Sequence, residues 1–78
     1  MDFTINGERL SLEADDVRRA VEGVAPSAAR SHVVDVEGVE YPVKQVLAEA
    51  TGLDLLDFTT NQARRVLRTL GFALRRIA

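Results

Sequence analysis

The chain has 78 residues, no cysteine and one histidine, so we expect one small domain, residues 1–78, without disulfides, thiolate metal sites or a zinc site. No apolar run approaches the roughly 20 residues needed to span a bilayer, and no signal peptide is visible. We therefore expect a cytoplasmic protein that does not enter membranes and uses no cofactor.

The charge is unevenly distributed along the chain. Residues 1–57 hold twelve acidic and five basic side chains, which gives −7, whereas residues 58–78 hold five arginines and no acid, which gives +5. Such asymmetry can mark an end of the molecule that binds a polyanion. The alternative is that the basic end neutralises the acidic first half.

The first elements are a predicted hairpin and a predicted helix. Asn6-Gly7 favours a type I′ turn, because both turn residues need a positive φ, and it would place Phe3 opposite Leu10. Ser11 is then expected to cap a helix. The apolar stripe of that helix consists of Val17, Ala20, Val21 and Val24.

The middle of the chain predicts a strand pair followed by a second helix. Residues 32–36 are β-branched and partly alternating, and Glu37-Gly38 turns the chain back. Pro42 suits the first turn of a helix, and Gly52 suits its end. The apolar stripe of this helix consists of Val43, Val46, Leu47 and Ala50. The connector after it carries three large apolar residues expected to fill the core: Leu55, Leu56 and Phe58.

A last helix is predicted over residues 60–70. Thr59 and Gln62 have the spacing of a capping box, and Gly71 ends the helix. Its stripe consists of Ala63, Val66, Leu67 and Leu70, and a terminal strand is expected to follow. Three helices with equal stripes predict an α+β fold, with three helices packed against a small antiparallel sheet. The element order is winged-helix-like.

The face of the last helix opposite its apolar stripe is basic. It carries the candidate DNA-contacting residues Asn61, Gln62, Arg64, Arg65 and Arg68, and the terminal strand adds Arg75 and Arg76, where a wing would touch phosphate. An ordinary solvated helix face usually mixes both signs of charge, but this one has no acid. We therefore favour contact with double-stranded DNA.

Two residues before this helix are further candidates. Lys44 lies in the first turn of the second helix, where it could hold a phosphate together with free N–H groups, or pair with Glu40 or Glu49. Tyr41 is expected to pack in the core, with base stacking as the alternative. His32 is expected to be a packed or surface histidine.

The same residues carry a resemblance to a known module. They are Gly38-x-x-Tyr41-Pro42-x-Lys44-x-Val46, then Phe58, then Ala63-x-x-x-Leu67-x-x-Leu70-Gly71-Phe72. This pattern, over about residues 31–74, resembles the N-terminal accessory module of McrA-like HNH restriction endonucleases. The resemblance implies proximity to DNA for Tyr41, Lys44 and the arginines after Thr60. It does not imply cleavage, because this sequence contains no nuclease domain.

The sequence thus predicts a DNA-binding or DNA-associated accessory module. The alternative is a protein-interaction module, such as an adaptor or an antitoxin-like partner of a larger protein, whose contact surface would be the acidic first helix with Asp15, Asp16 and Glu22. We do not expect an enzyme, because no nucleophile pair, proton-transfer pair or phosphate loop is present.

Overall fold

The computed structural model describes residues 1–29 and 31–77 and has an α+β fold. Its strands and helices, in chain order, are β1 (Asp2–Ile5), β2 (Glu8–Ser11), α1 (Ala14–Ala20), β3 (His32–Val36), β4 (Val39–Pro42), α2 (Val43–Thr51), a short 3₁₀ helix (Leu55–Asp57), α3 (Thr60–Thr69) and β5 (Leu74–Arg76). No helix in the described ranges is long and apolar enough to cross a bilayer.

The strands form two antiparallel sheets. β1 and β2 form a two-stranded hairpin in which Phe3 lies opposite Leu10, as predicted. Its turn residues, Asn6 and Gly7, have φ of 51° and 78°, as a type I′ turn requires. The second sheet has the order β4-β3-β5, so the central strand pairs with its neighbour in sequence and with the strand that follows α3.

The predicted start of α1 is wrong. Ser11 is still part of β2, where it lies opposite Asp2, and the helix begins only at Ala14. The N-cap is Glu13, and its backbone N–H donates to the carboxylate of Asp16, the third residue of the helix, at 2.8 Å. Asp16 also places negative charge near the helix N-terminus, where the helix dipole favours it.

The ends of α2 and α3 follow the predictions. Pro42 is the N-cap of α2, and Gly52 closes the helix with a left-handed φ of 78°. In α3, Thr59 Oγ1 accepts from the Gln62 N–H at 3.1 Å, and Gln62 Oε1 accepts from the Thr59 N–H at 2.8 Å. This reciprocal pair confirms the capping box.

The stripes of α2 and α3, together with Val17 and Val21, meet one face of the larger sheet in a single core. The predicted first stripe is too long, because α1 ends at Ala20 and Val24 lies beyond it. Its most deeply buried large side chains are Leu47, Leu67, Val17, Val34, Val36, Val43 and Val46. The connector before α3 departs from the prediction, because Leu55 is 49% exposed and Leu56 is 92% exposed, whereas Phe58 is buried. Asp54 Oδ1 accepts from the Leu56 N–H at 2.8 Å and caps a single 3₁₀ turn that leaves both leucines in solvent.

Candidate nucleic-acid interface

The outer face of α3 is basic. Ala63, Val66 and Leu67 are buried against the rest of the fold, so the opposite side of the helix is exposed to solvent. That side presents Asn61, Arg65 and Arg68 to solvent, as the sequence predicts, whereas Arg64 is only half-exposed; α3 contains no acidic residue.

The arginines of this face are not neutralised by carboxylates. Within residues 1–29 and 31–77, no ion pair involves Arg64, Arg65 or Arg68. Arg64 Nη1 donates to Asn61 Oδ1 at 3.2 Å, while its Nε is buried without a hydrogen-bond partner. Repulsion along the face is therefore uncompensated, and an incoming polyanion would relieve it.

The basic face continues onto the end of the larger sheet. His32 on β3 lies opposite Arg76 on β5, on the same side of the sheet as the buried Val34. The pKa of His32 is lowered, chiefly by desolvation and then by the charges of Arg64 and Arg76. His32 and Arg76 are thus neighbours across the β3–β5 pair, and the charges of Arg64 and Arg76 both act on the His32 ring.

Arg75 is placed differently from its neighbour. It lies on the opposite side of the sheet, where Nε and Nη2 donate to the two carboxylate oxygens of Glu40 at 2.8 Å and 2.7 Å. The hydrogen bond from Arg75 lowers the pKa of Glu40, and the same contact raises the pKa of Arg75. Of the two strand arginines, only Arg76 adjoins the α3 face.

Tyr41 is not available to stack on a base. Its side chain is 5% exposed, and its hydroxyl donates to the carbonyl oxygen of Val24 at 3.1 Å, with that of Val21 at 3.4 Å. The ring thus anchors the end of α1 to the sheet, as the core interpretation of this residue predicts.

Lys44 lies on α2 and contacts the residue that precedes the N-cap of α3. Its Nζ is 5.2 Å from the centre of the Phe58 ring, a cation–π contact. Glu40 is bound by Arg75, and no ion pair between Lys44 and Glu49 is found in the described ranges. Neither predicted local ion pair has formed, and Lys44 instead lines a groove beside α2.

The two amide side chains at the start of α3 are already hydrogen-bonded. The carbonyl oxygen of Gln62 belongs to the capping box, and that of Asn61 accepts from Arg64. Bidentate reading of adenine uses both the oxygen and the nitrogen of a carboxamide. Adenine reading by either side chain would therefore break an existing contact.

His32, expected from the sequence to be a packed or surface histidine, is a neighbour of this face. The pairing of β3 with β5 places it opposite Arg76, a long-range contact without a local sequence signal, and the charge of Arg64 on α3 also acts on it. The described residues contain no group of three or more His, Cys, Asp or Glu that could hold a metal ion.

Comparison with curated proteins and with solved structures gives no match. A protein-family model described as SCO5918-like matches residues 2–78, which is nearly the whole chain. The chain therefore belongs to the SCO5918-like family.

Proposed function

We propose that this protein binds double-stranded DNA through its phosphate backbone, with α3 as the contact helix. The observation that carries the proposal is the pair Arg65 and Arg68, both exposed and both without an ion pair within residues 1–29 and 31–77. Exposed arginines that lack carboxylate partners keep their full charge for phosphate. Arg64 and Arg76 flank them and widen the positive region.

We further propose that binding depends little on base sequence. The carboxamide oxygens of Asn61 and Gln62 already accept hydrogen bonds from Arg64 and from the Thr59 N–H. These side chains therefore stabilise the helix and are not free to contact base edges. Contacts to phosphate position a protein on the duplex but carry no sequence information directly. The expected affinity is that of nonspecific binding, with a Kd on the order of 10⁻⁴–10⁻⁶ M at physiological salt.

A winged-helix-like arrangement is part of the proposal. Two consecutive helices, α2 and α3, lie beside a small antiparallel sheet, and the second helix has the exposed basic face. The hairpin β3–β4 precedes these helices, whereas the wing of a winged helix follows them. A wing-like phosphate contact would therefore come from Arg76 on β5.

The resemblance to the accessory module of McrA-like endonucleases supports the same role, because that module is associated with DNA. We propose a binding role rather than a catalytic one, in the bacterial cytoplasm where duplex DNA is available. Two other candidate residues are not needed for this contact. Lys44 lines a groove, and Arg75 donates to the Glu40 carboxylate.

The test is the salt dependence of binding to a random-sequence duplex, measured by fluorescence anisotropy. Each phosphate contact adds about 0.9 to the magnitude of the log–log slope, so three or four contacts give a slope near about −3. The double variant Arg65→Ala/Arg68→Ala should reduce that magnitude by about 2.

The matched control removes two arginines from α1. Arg18 and Arg19 pair with Asp15 and Asp16 at 2.6 Å and 2.8 Å, so Arg18→Ala/Arg19→Ala changes the net charge equally but spares the α3 face. The control should keep the wild-type slope. Equal slopes for the two double variants, or no duplex binding at low salt, would refute the proposal.

The alternative is a protein-interaction module. The acidic first helix is a weaker contact surface than the sequence suggests, because Asp15 and Asp16 are already paired with Arg18 and Arg19. What favours an interaction role is instead the pair of exposed leucines before α3 and the groove beside them.

A further inference from the structure

A groove of about 780 Å³ runs along α2. Its lining includes the small residues Ala28 and Ala29 and, from the 3₁₀ helix, Leu55 and Leu56. Pro42, Val43 and Ala48 of the α2 region also line it. The groove is thus mostly apolar and large enough for several side chains.

The two leucines are the unusual feature of this groove. A single exposed leucine on a protein surface is ordinary, but Leu55 and Leu56 are adjacent, are 49% and 92% exposed, and border a concave apolar surface. Their exposure is fixed by the Asp54 cap of the 3₁₀ turn. The fold therefore holds them outward without using them in its own core.

Two charges of opposite sign lie along the same groove. Lys44 is in the first turn of α2, and Glu49 follows five positions later, roughly 7.5 Å along the helix axis. Neither side chain forms an ion pair within residues 1–29 and 31–77. The groove thus has a positive end near Lys44 and a negative end near Glu49.

We propose that this groove binds a segment of a partner protein that carries apolar side chains between an acidic and a basic residue. The apolar side chains would lie against Leu55 and Leu56, the acid would face Lys44, and the base would face Glu49. Charge complementarity fixes the direction of the segment, and apolar burial supplies the affinity.

The groove is separate from the proposed DNA contact. Arg65 and Arg68 do not line it, Thr60 is its only lining residue from α3, and the groove borders the basic region only at His32. One molecule could therefore hold a duplex on α3 and a partner protein along α2. The two activities can be removed independently, so failure of one proposal leaves the other intact.

The experiment is selection from a random peptide library displayed on phage, with the full chain as bait. Selected peptides should combine Leu- or Ile-like residues with an acid on one side and a base on the other. Their affinity for Leu56→Asp should fall about tenfold or more. Leu56 is 92% exposed, so this variant should keep the wild-type melting temperature.

A charge exchange tests the direction of the segment. The double variant Lys44→Glu/Glu49→Lys should weaken a selected peptide about tenfold, and a synthetic peptide with its acid and base exchanged should regain the loss. The controls are Arg65→Ala/Arg68→Ala and Val39→Asp, a substitution at an exposed residue that does not line the groove. Both should leave peptide binding unchanged.

Three results would overturn the proposal. The first is no enrichment of peptides over an unrelated immobilised protein. The second is enriched peptides that bind Leu56→Asp as well as wild type, or that lose affinity with Arg65→Ala/Arg68→Ala. The third is self-association of the free chain, measured by analytical ultracentrifugation, that Leu56→Asp abolishes, because the occupant would then be a second copy of the chain.

Discussion

Arg75 and Glu40 lie on the two outer strands of the larger sheet and meet above its central strand. Arg75 is opposite Val33 and Glu40 is opposite Asp35, so the ion pair crosses β3 diagonally between these two positions. Two hydrogen bonds of 2.8 Å and 2.7 Å join the side chains, and Val33 beneath them is 4% exposed. The pair connects three strands on the side of the sheet that faces away from the helices.

This ion pair predicts a loss of stability in acid. The Arg75 hydrogen bond lowers the pKa of Glu40, so the unfolded chain takes up this proton at a higher pH than the folded chain. The stabilisation is complete above the unfolded-state pKa and is lost as the pH falls through the lower folded-state pKa. Urea unfolding of Glu40→Gln should therefore depend less on pH in the acid range than that of wild type.

The control for this prediction is Glu22→Gln, which removes an exposed carboxylate that has no ion pair in the described part of the chain. It should follow the wild-type pH dependence. Parallel curves for Glu40→Gln and wild type would show that the ion pair does not persist in solution.

The contact between α3 and the sheet predicts a measurable titration of His32. Desolvation is the largest cause of its lowered pKa, and Arg64 is the next. Arg64→Gln should therefore raise the pKa of His32 part of the way toward its usual value, whereas Arg68→Gln should not. As His32 is the only histidine, its ring proton can be followed by NMR without overlap. Identical titrations of His32 in wild type and in Arg64→Gln would show that Arg64 does not lie near His32.

The sign of the linked stability effect follows from the same shift. Because the pKa of His32 is lowered by folding, the unfolded chain binds this proton first as the pH falls. As the pH falls from the usual pKa of histidine to the lower pKa of His32 in the folded state, the free energy of unfolding should decrease. His32→Gln should remove this step, which lies at higher pH than that of Glu40.

The centre of the core predicts a large cost for one substitution. Leu67 is fully buried in α3, so Leu67→Ala should lower the free energy of unfolding by roughly 2–5 kcal/mol. Leu56→Ala truncates a leucine that is 92% exposed, so the free energy of unfolding should change by less than about 0.5 kcal/mol. Urea denaturation of both variants compares them directly, and similar values would contradict the packing described above.

The cap of α3 gives a smaller but equally specific prediction. Thr59→Ala should destabilise the protein by about 1 kcal/mol, because the Gln62 N–H loses its acceptor. Thr59→Ser keeps an equivalent hydroxyl and should be nearly neutral. Faster amide exchange at the start of α3 in the Ala variant alone would identify the cap as the cause. Equal stability of the two variants would exclude it.

Local signals allowed much of the fold to be predicted from the sequence. The Asn6-Gly7 turn, the Gly52 helix end and the pairing of Thr59 with Gln62 each depend on residues within a few positions of one another. The three apolar stripes are local as well, because they depend only on helical periodicity. These features placed the α3 arginines correctly on an exposed face.

The remaining features depend on contacts between distant parts of the chain. The choice of Glu40 as partner of Arg75 follows from the registers of β4 and β5 on β3, and the position of His32 opposite Arg76 follows from the second of these registers. The outward direction of Leu56 follows from a single side-chain cap by Asp54. Hydrophobicity alone predicted burial for this leucine, because composition does not reveal which face of a short turn meets the core.

The position of β3 has a consequence for a partly folded chain. If β3 has paired with β4 but not yet with β5, the other edge of β3 has no neighbouring strand. Until then, a row of backbone N–H and C=O groups beside β-branched residues remains open to pairing with other chains. When Leu74–Arg76 pairs with β3, this edge is covered. Arg75 and Arg76 then lie on the outer strand, where their charges oppose aggregation.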